Sequence, residues 1–457
     1  MEALQNIAYW QWGLVIVSSV LLFLVAPWAK TVGDFFKAAS EKSKLPNAWL
    51  LTSSLVISWV FAKSITNAAN LGLSFGMVGG VAYGMYYFSF VIAGVVIYQL
   101  RTKGGFSSIH EFLRTKYGRG AVALFSVLIG FRLFNEVWSN TMVIGTYFGE
   151  HGDISYYASI LVFTALTLAY VLKGGLKSSL LTDLIQMVLF GALLFVILGI
   201  LLPKQDGGIA AFVQSGEWQM EQGVNLLLVA LLQSLSYPFH DPVMTDRGFI
   251  AAPKTTLTSY LWAGLIGFIC IVLFSFVGIF AQLQGMEGQA AVKVSQSLGV
   301  VMMLGMNFIM ITSAASTLDS TFTASSKLAV IDLGNPQKAT IKKGRLAMVI
   351  AAIAGTVPVF LSPEILSATT VSGTMVIGLA PVFLFWKSDA PPLAFYASVG
   401  TGIVAGILLT SGQIPTSWLI FSGKYGDLLS INLIGTFACF LLFFMVKWMA
   451  KMTTKNA

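Results

Sequence analysis

The chain has 457 residues, of which 56% are hydrophobic and only 10% charged, and its mean hydropathy is +0.81. A soluble domain carries about a quarter of its residues as charged side chains, so a soluble globular fold is excluded. The formal net charge of +8 is not a nucleic-acid signal, because the basic residues lie in short stretches between apolar runs and form no basic domain.

Taken in chain order, uncharged runs such as Gly13–Pro27, Met187–Leu202 and Ile431–Val446 read as membrane-crossing helices. They are continuous rather than alternating, which excludes a β-barrel. The first run is too long for the apolar core of a signal peptide and has Glu2 before it, so it is read as a mature span. A ruler of ~20 residues predicts about thirteen spans. They fall at 8–29, 48–76, 79–100, 121–148, 155–172, 178–202, 223–240, 257–283, 298–325, 342–361, 364–386, 391–411 and 427–449. The loop 283–299 reads as a short surface helix. Cys270 and Cys439 lie within apolar runs, with no CxxC or histidine spacing, and imply neither a disulfide nor a metal.

Lysine and arginine accumulate on the loops facing the cytoplasm. With the N-terminus outside, the inner loops receive Lys30, Lys37, Lys42, Lys44, Arg101, Lys103, Arg114, Lys116, Arg119, Lys327, Lys338, Lys342, Lys343 and Arg345, and the C-terminus stays cytoplasmic. The outer loops keep only Lys204, Lys293 and Lys424. The short loops suggest a bacterial inner-membrane protein, and the short tail after the last span predicts no signalling domain.

Loop motifs then follow in a fixed order: Asp34-Phe35-Phe36, Leu45-Pro46, Ser108-Ile109-His110-Glu111-Phe112-Leu113, Lys116-Tyr117-Gly118-Arg119, Gly174-Gly175-Leu176-Lys177 with Thr182-Asp183-Leu184-Ile185-Gln186, and Ser313-Ala314-Ala315-Ser316-Thr317-Leu318-Asp319-Ser320. Together, over nearly the whole chain, they resemble the sodium:solute symporter family, which holds the sodium/proline and sodium/galactose carriers. The resemblance implies an all-α, LeuT-type core of two inverted five-span repeats in a single membrane domain. These would be residues 48–202 and 223–386, preceded by an extra helix at 8–29 and followed by two helices at 391–449. The first helix of each repeat would be broken near mid-membrane, freeing carbonyls for a cation.

Within the spans, each polar residue needs a partner or a role. The tract Ser58–Asn70 is far more polar than its neighbours and reads as the broken helix. Ser313, Ser316, Thr317 and Ser320 share one helical face. The resemblance places sodium ligands at Ser313, Ser316 and Thr317, with the carbonyls of Ile57 and Val60 completing the set. Asp183, Asp319 and Ser320 are candidates for a second sodium, and helix capping is the other reading of Asp183.

Lys63 sits in the predicted break, too far along the span to reach the surface. It can bind a substrate carboxylate, neutralise Asp319, or stand in place of a sodium ion. Arg132 and Glu136 are spaced for an i,i+4 pair, and Asn135, Trp138, Ser139 and Asn140 extend the polarity of that span. The predicted solute contacts are Lys63, Trp59, Ser64, Asn67, Arg132, Glu136, Gln233 and Tyr237, with Phe61 and Ser234 as further candidates. His240-Asp241-Pro242 and Asp246-Arg247 are expected on an inner loop, in gating or helix capping.

No GxSxG, HExxH or phosphate-loop pattern occurs, so an enzyme is disfavoured and no cofactor is expected. No filter-like repeat suggests a channel. The reading is a sodium-coupled symporter of a small organic solute, carboxylate-bearing or zwitterionic. Proton coupling, uncoupled transport with Lys63 replacing sodium, or a transporter-derived solute sensor remain as alternatives.

Overall fold

Residues 7–37 and 46–455 are described by the computed structural model. Glu2, Lys42, Lys44 and Leu45, used in the reading above, lie outside the described residues. Among those described, every regular element is a helix. This follows from the solvent, since only a helix satisfies all its own backbone donors and acceptors inside lipid without closing a barrel.

The elements run α1 Ile7–Val25, α2 Val32–Lys37, α3 Ala48–Trp59, α4 Ala62–Gly84, α5 Phe88–Thr102, α6 Ile109–Gly145, α7 Ile154–Gly174 and α8 Leu176–Leu201. They continue with α9 Gly208–Val213, α10 Val224–Ser234, α11 Pro242–Arg247, α12 Pro253–Leu283, α13 Ala290–Ser297, α14 Val300–Lys327, α15 Ile341–Thr356, α16 Ser367–Met375, α17 Leu379–Leu384, α18 Pro392–Ser411 and α19 Gly426–Lys455. The surface helix expected at 283–299 is α13.

The count of about thirteen spans is not confirmed. Ten helical stretches among the described residues are long and apolar enough to cross a membrane. Ala62–Thr102 is one continuous stretch that takes up parts of two predicted spans. The predicted spans 48–76, 223–240 and 364–386 are interrupted, at 60–61, 235–236 and 376–378. Hydropathy sums over the interruptions and cannot see them. The corner between the second and third predicted spans is Gly76, at φ +60°, where a Cβ would lie 2.6 Å from the Gly216 backbone nitrogen. A side chain there would be both strained and obstructed.

Two loop motifs pack against one another. Gly175, at φ +58°, lets the chain pass against the Phe35 carbonyl and ring, and Lys177 Nζ reaches Asp34 Oδ1 at 3.4 Å. Burial tends to raise the Asp34 carboxyl, but the side chains of Thr31 and Lys177 prevail and hold it below the usual carboxylate range. At the centre, α4 and α12 cross so closely that a Cβ on Gly278 would sit 1.6 Å from the Ala69 carbonyl oxygen, and one on Gly72 2.3 Å from that of Ser275. Small residues on both helices permit this approach. It sets the second half of the broken helix, α4, firmly against α12.

Candidate functional site

α3 ends at Trp59, and α4 begins only at Ala62, after Val60 (φ −79°, ψ 64°) and an extended Phe61. The last-turn carbonyls of α3, including that of Ile57, therefore lack the helical donors that a continuous helix would supply. The Val56 carbonyl accepts from Val60 N (2.8 Å) and the Trp59 carbonyl from the Tyr87 hydroxyl (2.6 Å). A second interruption separates α10 from α11. It holds Tyr237–His240 in a short 3-10 turn, and Asp241 caps α11 by accepting from Met244 N at 3.2 Å.

Between these breaks lie four buried charges in alternation. Lys63 Nζ donates to Glu136 Oε1 at 2.6 Å. Arg132 pairs with the same Glu136 oxygen and, through Nη2, with Asp241 Oδ2 at 3.1 Å. Trp59 Nε1 donates to Asp241 Oδ2 at 2.9 Å, and Asn140 Nδ2 donates to Glu136 Oε2 at 2.9 Å. Lys63 is 0% exposed and Arg132 1%. The four charges sum to zero, which is what makes them tolerable away from water.

Aromatic rings enclose the cluster. Lys63 Nζ lies 4.9 Å from the Phe61 ring centre and the Arg132 guanidinium 5.0 Å from that of Tyr237. Above it, Ser64 and Asn67 share the Tyr83 hydroxyl, at 3.3 and 3.2 Å. Tyr86 donates to Gln233 Oε1 at 2.9 Å, and Gln233 Nε2 is spent on Thr370, Thr374 and Asn432.

The predicted solute contacts thus converge on one region. Two expectations need correction there. Lys63 does not neutralise Asp319, because its ammonium is held by Glu136 on α6. His240, Asp241 and Arg247 are not on an inner loop; they are buried to 1–3% exposure, because the break after Ser234 turns the chain back into the bundle.

On α14, Ser316 Oγ donates to Asp183 Oδ1 at 2.6 Å. Thr317 Oγ1 donates to its own helix, at the Ser313 carbonyl (2.9 Å), while Ser313 Oγ is buried with no partner. Asp319 does not pair with a lysine. It accepts from Ser179 (2.7 Å) and Ser320 (3.2 Å) on one oxygen, and from Tyr170 (3.0 Å) and Thr182 (2.9 Å) on the other. Hydroxyls, a carboxylate and uncapped carbonyls are hard oxygen donors, the set that suits a small cation and not a soft metal.

A cavity of about 950 Å³ opens from one face down to Asn67 and Met142, with Gln289, Lys293, Glu364 and Lys424 around it. One helical turn further in lie Lys63 and Trp138. On the opposite side, between Phe36, Val243, Ser320 and Thr323, only about 10 Å³ remains. Lys327 Nζ closes that side, bonded to Asp246 (2.5 Å) and Asp332 (3.2 Å). Next to the centre, one space is thus wide and the other nearly filled, while a pocket of about 360 Å³ lies beside Asp332.

Residues 35–246, which include both interruptions, match the model of the Sodium:solute symporter family. Over this stretch the chain is similar to the sodium:solute symporters. Sodium/glucose cotransporter 1 of Ovis aries is 25% identical over 217 residues, covering 44% of this chain and 31% of that protein. Sodium/glucose cotransporter 4 of Danio rerio is 24% identical over 270 residues, covering 54% and 39%. The chain thus spans about a third of the length of the curated relatives it matches.

Among solved structures, a Na+-coupled sialic acid symporter in its substrate-bound outward-open state aligns with TM-score 0.70 at 14% identity, covering 96% of this chain and 98% of that one. A nucleobase-cation-symport-1 family transporter in a closed conformation aligns at 0.57 and 13% identity, covering 93% and 95%. The fold is LeuT-type.

The sequence did not mark Asp241 and Arg247 as buried charges, nor Ser54 as a partner of Arg247, Tyr83 and Tyr86 as partners of Ser64, Asn67 and Gln233, or Tyr170, Ser179 and Thr182 as partners of Asp319. Ser54 and Ser58 were legible, since they lie four residues apart on one face of an apolar helix. Arg247 carried no such signal, because nothing in its neighbours distinguishes a loop from a turn folded back into the bundle.

Proposed function

We propose that this chain is a secondary active transporter that carries a small organic solute together with sodium by alternating access. The observation that carries the reading is the interrupted helix at Val60–Phe61, with hydroxyl-bearing α14 and the four-charge cluster within one bundle, beneath a cavity that opens from one face. Sodium would bind among Ser313, Ser316, Thr317 and the carbonyls of Ile57 and Val60. There it meets the negative end of the α3 dipole and ties α3 to α14. The unpartnered Ser313 hydroxyl supports a ligand at this place, since buried polar atoms without partners are uncommon.

The solute would lie over Lys63, Ser64, Asn67 and Tyr83, with Trp59 and Tyr237 at its side. Lys63 has three N–H donors, and Glu136 takes one. The cluster is electrically balanced, so it favours a polar solute of no net charge, zwitterions included, and not a net anion. The two repeats would be residues 48–202 and 223–386, which puts one interrupted helix at the head of each. The Lys/Arg asymmetry would turn the open cavity outward from the cell membrane. That cavity narrows toward a sealed polar centre with no catalytic group assembled in it, which favours transport over chemistry.

The test is a thermal-stability screen of purified protein against small polar solutes, in sodium and then in choline, since a ligand stabilises the state it binds. Stabilisation by a neutral or zwitterionic solute only in sodium is the expected result. Equal stabilisation in choline would overturn sodium coupling.

A further inference from the structure

Asp183 and Ser320, with neighbouring Asp319, form the region that the family resemblance offers for a second cation. A positive charge is already there. Arg247, 2% exposed, closes the short helix α11 and reaches across the bundle. Its Nε donates to Ser54 Oγ at 2.6 Å. Its Nη2 donates to Asp183 Oδ2 at 2.9 Å and to Ser320 Oγ at 2.8 Å, and its Nη1 to the Val243 carbonyl at 3.2 Å. One guanidinium therefore joins α3, α8 and α14 to the segment that follows the second interruption.

Oδ2 of Asp183 is fully engaged as a result, while Oδ1 keeps one acceptor site. Oδ2 takes Arg247 and the Ser54 hydroxyl (2.5 Å), and Oδ1 takes the Ser316 hydroxyl (2.6 Å). A second sodium would have to displace a guanidinium fork spread over Asp183, Ser54 and Ser320. It would also have to bear that fork's like charge at contact distance.

We infer that the Arg247 guanidinium is a tethered cation standing in the second cation's place, so that one sodium, not two, accompanies each solute. The inference rests on the sodium-coupled reading above. Because Arg247 is covalently part of α11, its charge is never released into solution. The neighbouring Asp246 is held by Lys327 on the closed side, so the same short helix carries both the tethered charge and the latch.

The test is equilibrium binding of radioactive sodium to the purified full chain, counted per molecule, for the natural protein and for Arg247→Gln. The natural protein is expected to saturate at one sodium with a Hill coefficient of about one, and Arg247→Gln to take up a second. Two sodium ions on the natural protein would overturn the role of Arg247 and leave sodium coupling intact. No sodium on the natural protein would instead sink sodium coupling, and this inference with it. If both proteins stop at one, the guanidinium is not a stand-in for a cation. Should Arg247→Gln fail to fold, the count on the natural protein still decides between one and two.

Discussion

Glu136 is the anion on which the buried cluster turns, and replacing it with glutamine tests whether charge balance holds the centre together. The amide would keep an oxygen for Lys63 and Arg132 to share, and gives up the charge together with the acceptor for Asn140. Two positive groups at 0% and 1% exposure would then face only Asp241. Breaking a buried pair by removing one partner costs about 3–5 kcal/mol, and because glutamine keeps the acceptor shared by Lys63 and Arg132 and loses only the one facing Asn140, the lower end, about 3 kcal/mol, is expected for Glu136→Gln. Lys63→Met should cost a similar amount, since it leaves Glu136 and Asp241 with Arg132 alone.

The double variant Lys63→Met/Glu136→Gln restores neutrality, with Arg132 and Asp241 still paired at 3.1 Å. It should be more stable than either single variant, with a coupling of about 2–3 kcal/mol between the two sites. Tryptophan fluorescence during SDS titration of the purified protein in mixed micelles measures each value. Additive losses in the double variant would refute the argument, and would mean that local hydrogen bonds rather than charge balance stabilise the centre.

Three further outcomes are expected. Thr317→Ala should lower sodium affinity about tenfold, a ~1.4 kcal/mol effect, with folded yield near that of the natural protein, as read by sodium titration of solute-dependent stabilisation; unchanged affinity would move the cation site away from α14. Lys327→Gln should free Asp246 and Asp332 and open the closed side. A cysteine at Thr323, which lines the small closed space there, should then react with maleimide several-fold faster, against a low background because Cys270 and Cys439 are buried; an unaltered rate would show that Lys327 is no latch. Gly278→Ala should force α4 and α12 apart at the Ala69 carbonyl and destabilise the fold by about 1–3 kcal/mol or more, visible as reduced folded yield, whereas Gly130→Ala, with open space around it, should have little effect.

The membrane class, the helical architecture and the family resemblance were legible in the sequence because each depends on local pattern. Apolar runs of bilayer length, basic residues on alternate loops and motif order can all be read without knowledge of any contact. The break at Val60–Phe61 was also legible in outline, because Ser58–Asn70 is too polar to be an ordinary lipid-facing helix. So was the shared face of Ser313, Ser316 and Thr317, which is fixed by helical period alone. Arg132 and Glu136 could be paired from their spacing for the same reason.

Partners distant in sequence were decided only by tertiary structure. Lys63 lies 73 residues from Glu136, Arg132 lies 109 from Asp241, and Arg247 lies 64 from Asp183. The sequence showed that a charge at each position must find an opposite charge or a ligand, since lipid offers neither. It could not show which, because several carboxylates and cations were available and the choice depends on how the helices cross. Gly72 and Gly278 permit the close crossing of α4 and α12, and the second break turns Asp241 and Arg247 back into the bundle. Lys63 is thereby committed to Glu136 and Arg247 to Asp183, which leaves a balanced centre where the sequence alone suggested an unpaired cation.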